Sequence, residues 1–161
     1  MKWLLTIYRM WAKKGHQPLI PTPGGRKGVK LVGVVEPSSG QVLVDFAKTL
    51  KAEDFQQFLQ HVLEIFGGRG KIWIILDNAR VHHAKALKPF LDEIKGELEL
   101  IYLPAYSPDL NVIERLWRFL RKEVTHDEYY PTFDLFTDAL SAFFNKYANP
   151  SEMIKTLCAV S

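Results

Sequence analysis

Lys71-Ile-Trp-Ile-Ile-Leu-Asp-Asn78 and Leu98-Glu-Leu-Ile-Tyr-Leu103 are the stretches whose reading decides the fold. The first is a continuous apolar run of strand length, as expected of a strand buried on both faces, and it stops abruptly at Asp77-Asn78. The second is another strand, followed by the loop Pro104-Ala-Tyr-Ser-Pro108. Between them, Ala84, Leu87, Leu91 and Ile94 fall on one face of a helix over about 84–95. Strand, helix and strand in succession predict an α/β sheet with a parallel part.

The flanks agree with that reading. Lys30–Glu36 and Gln41–Ala47 are β-branched runs around Pro37-Ser-Ser-Gly40, a hairpin signal. Phe55, Phe58, Leu59, Val62, Leu63 and Phe66 recur at helical spacing over Ala52–Phe66, and Gly67-Gly-Arg-Gly70 ends the run. Ser107 or Asp109 can cap a helix carrying Val112, Ile113, Leu116, Trp117 and Leu120. Phe133–Tyr147 is a last long helix, and Asn149-Pro150 starts a short one. Residues 12–29 hold three Pro and four Gly and read as an extended loop.

At 161 residues, 47% apolar and 24% charged, the chain fits one globular domain and excludes global disorder. A strand remnant and basic loop (1–29), a core (30–147) and a C-terminal helix or tail (148–161) divide it. One cysteine, Cys158, excludes a disulfide framework. No apolar run reaches the roughly 18 residues of a membrane span. The net charge of +3 is unevenly spread: nothing acidic precedes Glu36, while Lys2, Arg9, Lys13, Lys14, Arg26, Lys27 and Lys30 all do. That suggests a polyanion partner, against the plainer alternative of a solvated basic arm.

Ligands of open α/β sheets gather beyond the carboxyl ends of the strands. Asp77 ends the first strand, and Glu114 lies in the helix after the second. On neighbouring strands the two carboxylates would approach within metal-bridging distance. Hard oxygen donors suit Mg²⁺ or Mn²⁺, ions common in phosphoryl transfer. The alternative on spacing alone is that Asp77 merely ends a strand and Glu114 decorates a helix.

Leu76-Asp-Asn-Ala-Arg-Val-His-His-Ala84 and Leu103-Pro-Ala-Tyr-Ser-Pro-Asp-Leu-Asn-Val-Ile-Glu-Arg-Leu-Trp117 together resemble the second and third acidic blocks of the mariner-type DDE transposases. The similarity is greatest to the DDE endonuclease domain of bacterial insertion-sequence transposases. Trp11-Ala-Lys-Lys-Gly15 and Pro23-Gly-Gly-Arg-Lys27 resemble the stretch between that family's first acid and its hairpin. The resemblance runs from about Tyr8 to about Tyr147.

It implies an RNase H-like mixed sheet with flanking helices, and metal-dependent DNA strand cleavage and strand transfer. It implies Asp77 and Glu114 as catalytic metal ligands, with 36 residues between them. Mg²⁺ or Mn²⁺ would be the cofactor, and transposon ends and target DNA the partners. A homodimer, or a helix-turn-helix portion supplied from outside the chain, and a bacterial cytoplasmic, nucleoid-associated location follow in the same way. Asn78, His82, Pro108, Asn111 and Arg115 match family positions. Asn111, three residues before Glu114, is expected on the same helix face. His82 would bond a phosphate or hold the Asp77 loop. Lys13, Lys14, Arg26, Lys27, Lys30, Arg80, His82, Asn111 and Arg115 are the candidate DNA contacts. Arg118, Arg121 and Lys122 either join them or form a solvated helix face.

The resemblance fails at one point. The family's first catalytic Asp lies about a dozen residues before the Trp matched by Trp11, and only ten residues, none acidic, stand there. Two of three carboxylates are present, and most of the central first strand is expected to be absent. Three explanations rank in order: a remnant of a decayed element; a late-started or frameshifted reading frame; Trp3–Tyr8 replacing the strand and Glu36 or Asp45 the acid. An impaired transposase domain is one functional reading. A non-catalytic nucleic-acid-binding module on the same fold is its rival, and a metal-dependent ribonuclease a third.

Overall fold

In a computed structural model, residues 28–47, 49, 51–68, 70–104, 111–126 and 128–159 are described, apart from the side chain of Arg80. β1 (Lys30–Glu36) and β2 (Gln41–Ala47) form the expected antiparallel hairpin, with Val32 opposite Asp45 and Val34 opposite Leu43. Side chains alternate across its two faces. Leu31, Val35, Val42 and Val44 pack with α3 (Ile113–Leu120), α4 (Phe133–Lys146) and α5 (Glu152–Leu157). Val32, Val34 and Leu43 pack with α1 (Ala52–Phe66). The hairpin is thus the middle layer of an α/β/α arrangement.

Gly33 makes that layer thin enough. A Cβ there would lie 2.8 Å from Val44 Cγ2 and 3.0 Å from the Trp117 ring. The bare glycine lets the indole of α3 lie directly on the hairpin.

β3 (Ile72–Leu76) and β4 (Leu98–Tyr102) pair in parallel, with Leu76 opposite Tyr102. Ile74, Leu76 and Leu98 are buried with Phe55, Phe58, Leu59 and Val62 of α1 and with Phe90 of α2 (Lys88–Glu93). Two expectations need correcting here. β3 is buried on one face only: Trp73 and Ile75 are 56% and 57% exposed, and Ile101 beside them is 40% exposed. Among the described residues nothing packs that face strongly enough to bury it. The described strands form two two-stranded sheets, one antiparallel and one parallel. Finally, 84–95 is not one helix. Two 3₁₀ turns, Arg80–His83 and Lys85–Leu87, precede the short α2. Pro89, lacking a donor N–H, sits in the first turn of α2 and could not lie inside a longer helix.

α3 runs on as a π-helical turn over Arg121–Thr125, closed by His126 N–H donating to Arg121 O, and this buries Val124. Pro150 precedes α5 instead of opening it; the Ser151 hydroxyl caps that helix by accepting from Ile154 N–H. No described helix is long and apolar enough to cross a membrane.

Candidate active site at the ends of the parallel strands

Asp77 leaves β3 into a turn that its own side chain helps to form. Its Oδ1 accepts from Ala79 N–H at 3.1 Å, an Asx-type turn that suits Asp at a strand end. His82 reaches back across the turn, with Nδ1 3.1 Å from Asp77 O and 3.3 Å from Asp77 Oδ1. A carbonyl only accepts, so Nδ1 carries the proton. The ring lies on Phe55 of α1, centroids 4.6 Å apart. Burial lowers the imidazole's pKa, against the raising effects of its bond to Asp77 and of the Asp77 charge. Of the two roles expected for His82, this geometry performs the holding of the Asp77 loop.

Asn78 and His83 tie the same turn to β4. Leu103 N–H donates to Leu76 O at 2.9 Å, and the Asn78 amide donates to Leu103 O. That orientation aims Asn78 Oδ1 at His83, whose Nε2 donates to it at 3.2 Å. His83 stacks on Tyr102, centroids 4.4 Å apart, and the Tyr102 hydroxyl donates to His82 O at 3.0 Å.

Glu114 stands in the first turn of α3, where a carboxylate suits the helix dipole, and its N–H donates to Asn111 O. Its carboxyl is raised above the ordinary glutamate range, first by burial. Arg121 and Arg118, two turns and one turn along the helix, draw it down, and the charge of Asp77 pushes it up. The charge of Asp77, just past β3, therefore reaches Glu114 beyond the end of β4.

A pair of carboxylates fits one hard divalent cation whose remaining positions are filled by water or ligand oxygens. Among the described residues no group of three or more His, Cys, Asp or Glu is placed to hold a metal ion. Glu36 and Asp45 do not join the pair. Glu36 accepts from the Ser39 hydroxyl at the hairpin turn. Asp45 faces α1, where His61 Nδ1 donates to it at 3.0 Å.

The other expected site residues are dispersed. Asn111 is not on the helix face of Glu114, because α3 starts only at Ile113; Asn111 offers its backbone carbonyl instead. Arg115 points away from the pair and donates to Ala159 O at 2.6 Å, beyond the end of α5. Lys30 opens β1. Arg118 and Lys122 are exposed on the α3 side. Lys13, Lys14, Arg26, Lys27, Pro108, the caps Ser107 and Asp109, and Trp3–Tyr8 lie outside the described residues, as does the Arg80 side chain. His83 and Tyr102 carry no sequence signal of a role here.

Residues 6–137 match the family described as DDE superfamily endonuclease. An insertion element IS630 uncharacterized 39 kDa protein of Shigella sonnei is 27% identical over 117 residues, covering 73% of this chain and 34% of that protein. Two solved structures are similar in fold. The Mos1 transposase paired-end complex with left transposon end superposes with a TM-score of 0.71 at 19% identity, over 98% of this chain and 49% of that one. The catalytic domain of Mos1 mariner transposase gives 0.65 at 20% identity, over 88% and 71%. The fold is thus the RNase H-like one of that catalytic domain. The chain spans about a third of the curated relative and about half of the longer transposase chain.

Proposed function

Since the chain belongs to the DDE superfamily endonuclease family, we propose that it is catalytic-core material of an insertion-sequence transposase, with Asp77 and Glu114 holding one divalent cation against DNA. The observation that carries this is the placement of Asp77 directly after β3 and of Glu114 in the first turn of the helix that follows the neighbouring parallel strand β4, near enough for the charge of Asp77 to reach Glu114. Bound there, Mg²⁺ or Mn²⁺ would supply Lewis-acid stabilisation of the oxygens at a phosphodiester. The chain's own residues do the rest. Asp77 and Glu114 provide the ligand oxygens. His82 and Asn78 fix the Asp77 turn, and Arg118 and Arg121 temper the charge around Glu114. DNA is the proposed partner, since a protein of the same fold is seen with transposon-end DNA. The setting is the bacterial cytoplasm.

Cleavage by this chain alone should be slow at most. Its first 35 residues contain no Asp or Glu, so that stretch adds no third carboxylate to the pair. The test is nicking of supercoiled plasmid with Mn²⁺. Slow, metal-dependent nicking lost in Asp77→Asn and Glu114→Gln is expected. Nicking that survives Asp77→Asn would place the chemistry elsewhere.

The same acid-free, basic stretch favours a second reading, a nucleic-acid-binding module without catalysis. Binding would then fall steeply with salt and ignore Mg²⁺. Neutralising Lys13, Lys14, Arg26 and Lys27 would abolish it, while Glu114→Gln would not.

A further inference from the structure

The two carboxylates sit on separate pieces of chain, so something must fix one against the other. Asp77 belongs to the turn after β3. Glu114 is reached from β4 through Leu103, Pro104 and the loop beyond. The described contacts between these pieces, past the last strand pairing, come from few groups. The Asn78 amide holds Leu103 O, and His83 Nε2–H holds Asn78 Oδ1 at 3.2 Å. The His83 ring stacks on Tyr102 at 4.4 Å and 22° between planes. The Tyr102 hydroxyl returns to His82 O at 3.0 Å. This closes a loop of interactions running Asn78, Leu103, Tyr102, His82, His83. A tyrosine hydroxyl is protonated at neutral pH, as a donor needs.

The geometry points to His83 and Tyr102 as positioning residues, a clamp that fixes the Asp77 turn against the end of β4 and so sets the separation of Asp77 from Glu114. The inference rests on the metal-pair reading above for its consequence, and on the contacts alone for its existence. Neither residue touches the reacting groups. Each acts through Asn78 or through the His82 carbonyl. Residues that orient metal ligands from behind typically change metal affinity about 10- to 100-fold when removed.

Two measurements on the intact chain separate the parts. The first is amide hydrogen exchange at Leu103, whose N–H donates to Leu76 O beside the clamp. The second is Mn²⁺ affinity by electron paramagnetic resonance, read well below each variant's Tm, with Asp77→Asn as control. His83→Ala should speed Leu103 exchange, leave α1 amides unchanged, and weaken Mn²⁺ binding about tenfold. His83→Phe, which can keep the stack, should recover part of that loss. Tyr102→Phe, a mild change that keeps the ring, should fall between wild type and Tyr102→Ala. Unchanged Leu103 exchange in His83→Ala and Tyr102→Ala would overturn the clamp. Faster exchange or a lower Tm with unchanged Mn²⁺ affinity, while Asp77→Asn abolishes binding, would overturn its positioning role. Mn²⁺ binding indifferent to Asp77→Asn would instead refute the metal pair, leaving the clamp to the exchange data.

Discussion

Glu114 is buried enough to raise its carboxyl above the ordinary range, and the charge of Asp77, on the end of a different element, pushes it the same way. A fold gains nothing in stability from bringing two carboxylates together. Arg118 and Arg121 oppose that shift, and the carboxyl stays raised.

Glu114→Gln should therefore stabilise the metal-free protein. The folded state holds the Glu114 proton to higher pH than the unfolded chain does. Stability from this group is thus present at low pH and lost as pH rises through the window between the two values. In EDTA, the variant should melt higher than wild type by about 2–4 °C for each kcal/mol relieved. The gap should be wider near neutral pH than at about pH 4.5. A gap that shrinks as pH rises would contradict the assignment.

His82 has the opposite sign. Its imidazole is lowered by burial against Phe55, so the unfolded state takes up its proton first as pH falls. Its contribution is intact above about pH 6.5 and is lost as pH drops through the folded value. Melting curves across that range should show wild type losing stability on acidification and His82→Gln losing less. Parallel curves would show that His82 does not titrate with folding.

Gly33→Ala should cost about 1–3 kcal/mol, the usual range for forcing volume into a packed site. The new methyl would meet Val44 and the Trp117 ring at 2.8 and 3.0 Å. Urea denaturation reads this directly. An unchanged midpoint would mean that Trp117 does not sit on the hairpin as described.

The exposed face of β3 and β4 should limit solubility. Trp73, Ile75 and Ile101 line it, and such a patch promotes association. Ile75→Lys should raise soluble yield and the monomer fraction in size-exclusion chromatography, with Tm unchanged. A wild-type chain that is already a well-behaved monomer with a sharp melt would count against this.

The hairpin and α1 were legible in the sequence to the residue, because alternation and helical periodicity are local and their stops are strong. That Asp77 follows β3 and that Glu114 lies in the helix after β4 was legible from the apolar runs that stop before each. What misled was the even apolarity of Ile72–Leu76. A run of apolar side chains reports capacity for burial on both faces, not the presence of something to cover the second. Pro89 was visible, yet its effect on 84–95 depended on where the helix began. The end of Arg115 on Ala159 O could not be read, since it depends on α5 folding back against α3. His83 and Tyr102 escaped for the same reason: their roles arise only when two strand ends lie side by side.

The claim that Asp77 and Glu114 share one divalent cation is tested most directly by calorimetric Mn²⁺ titration of wild type, Asp77→Asn, Glu114→Gln and the double variant. One ion should bind to wild type, and each single variant should lose as much affinity as the double, because residues sharing one ligand are not additive. Binding retained in both single variants, or losses in the two that simply add, would contradict a shared site.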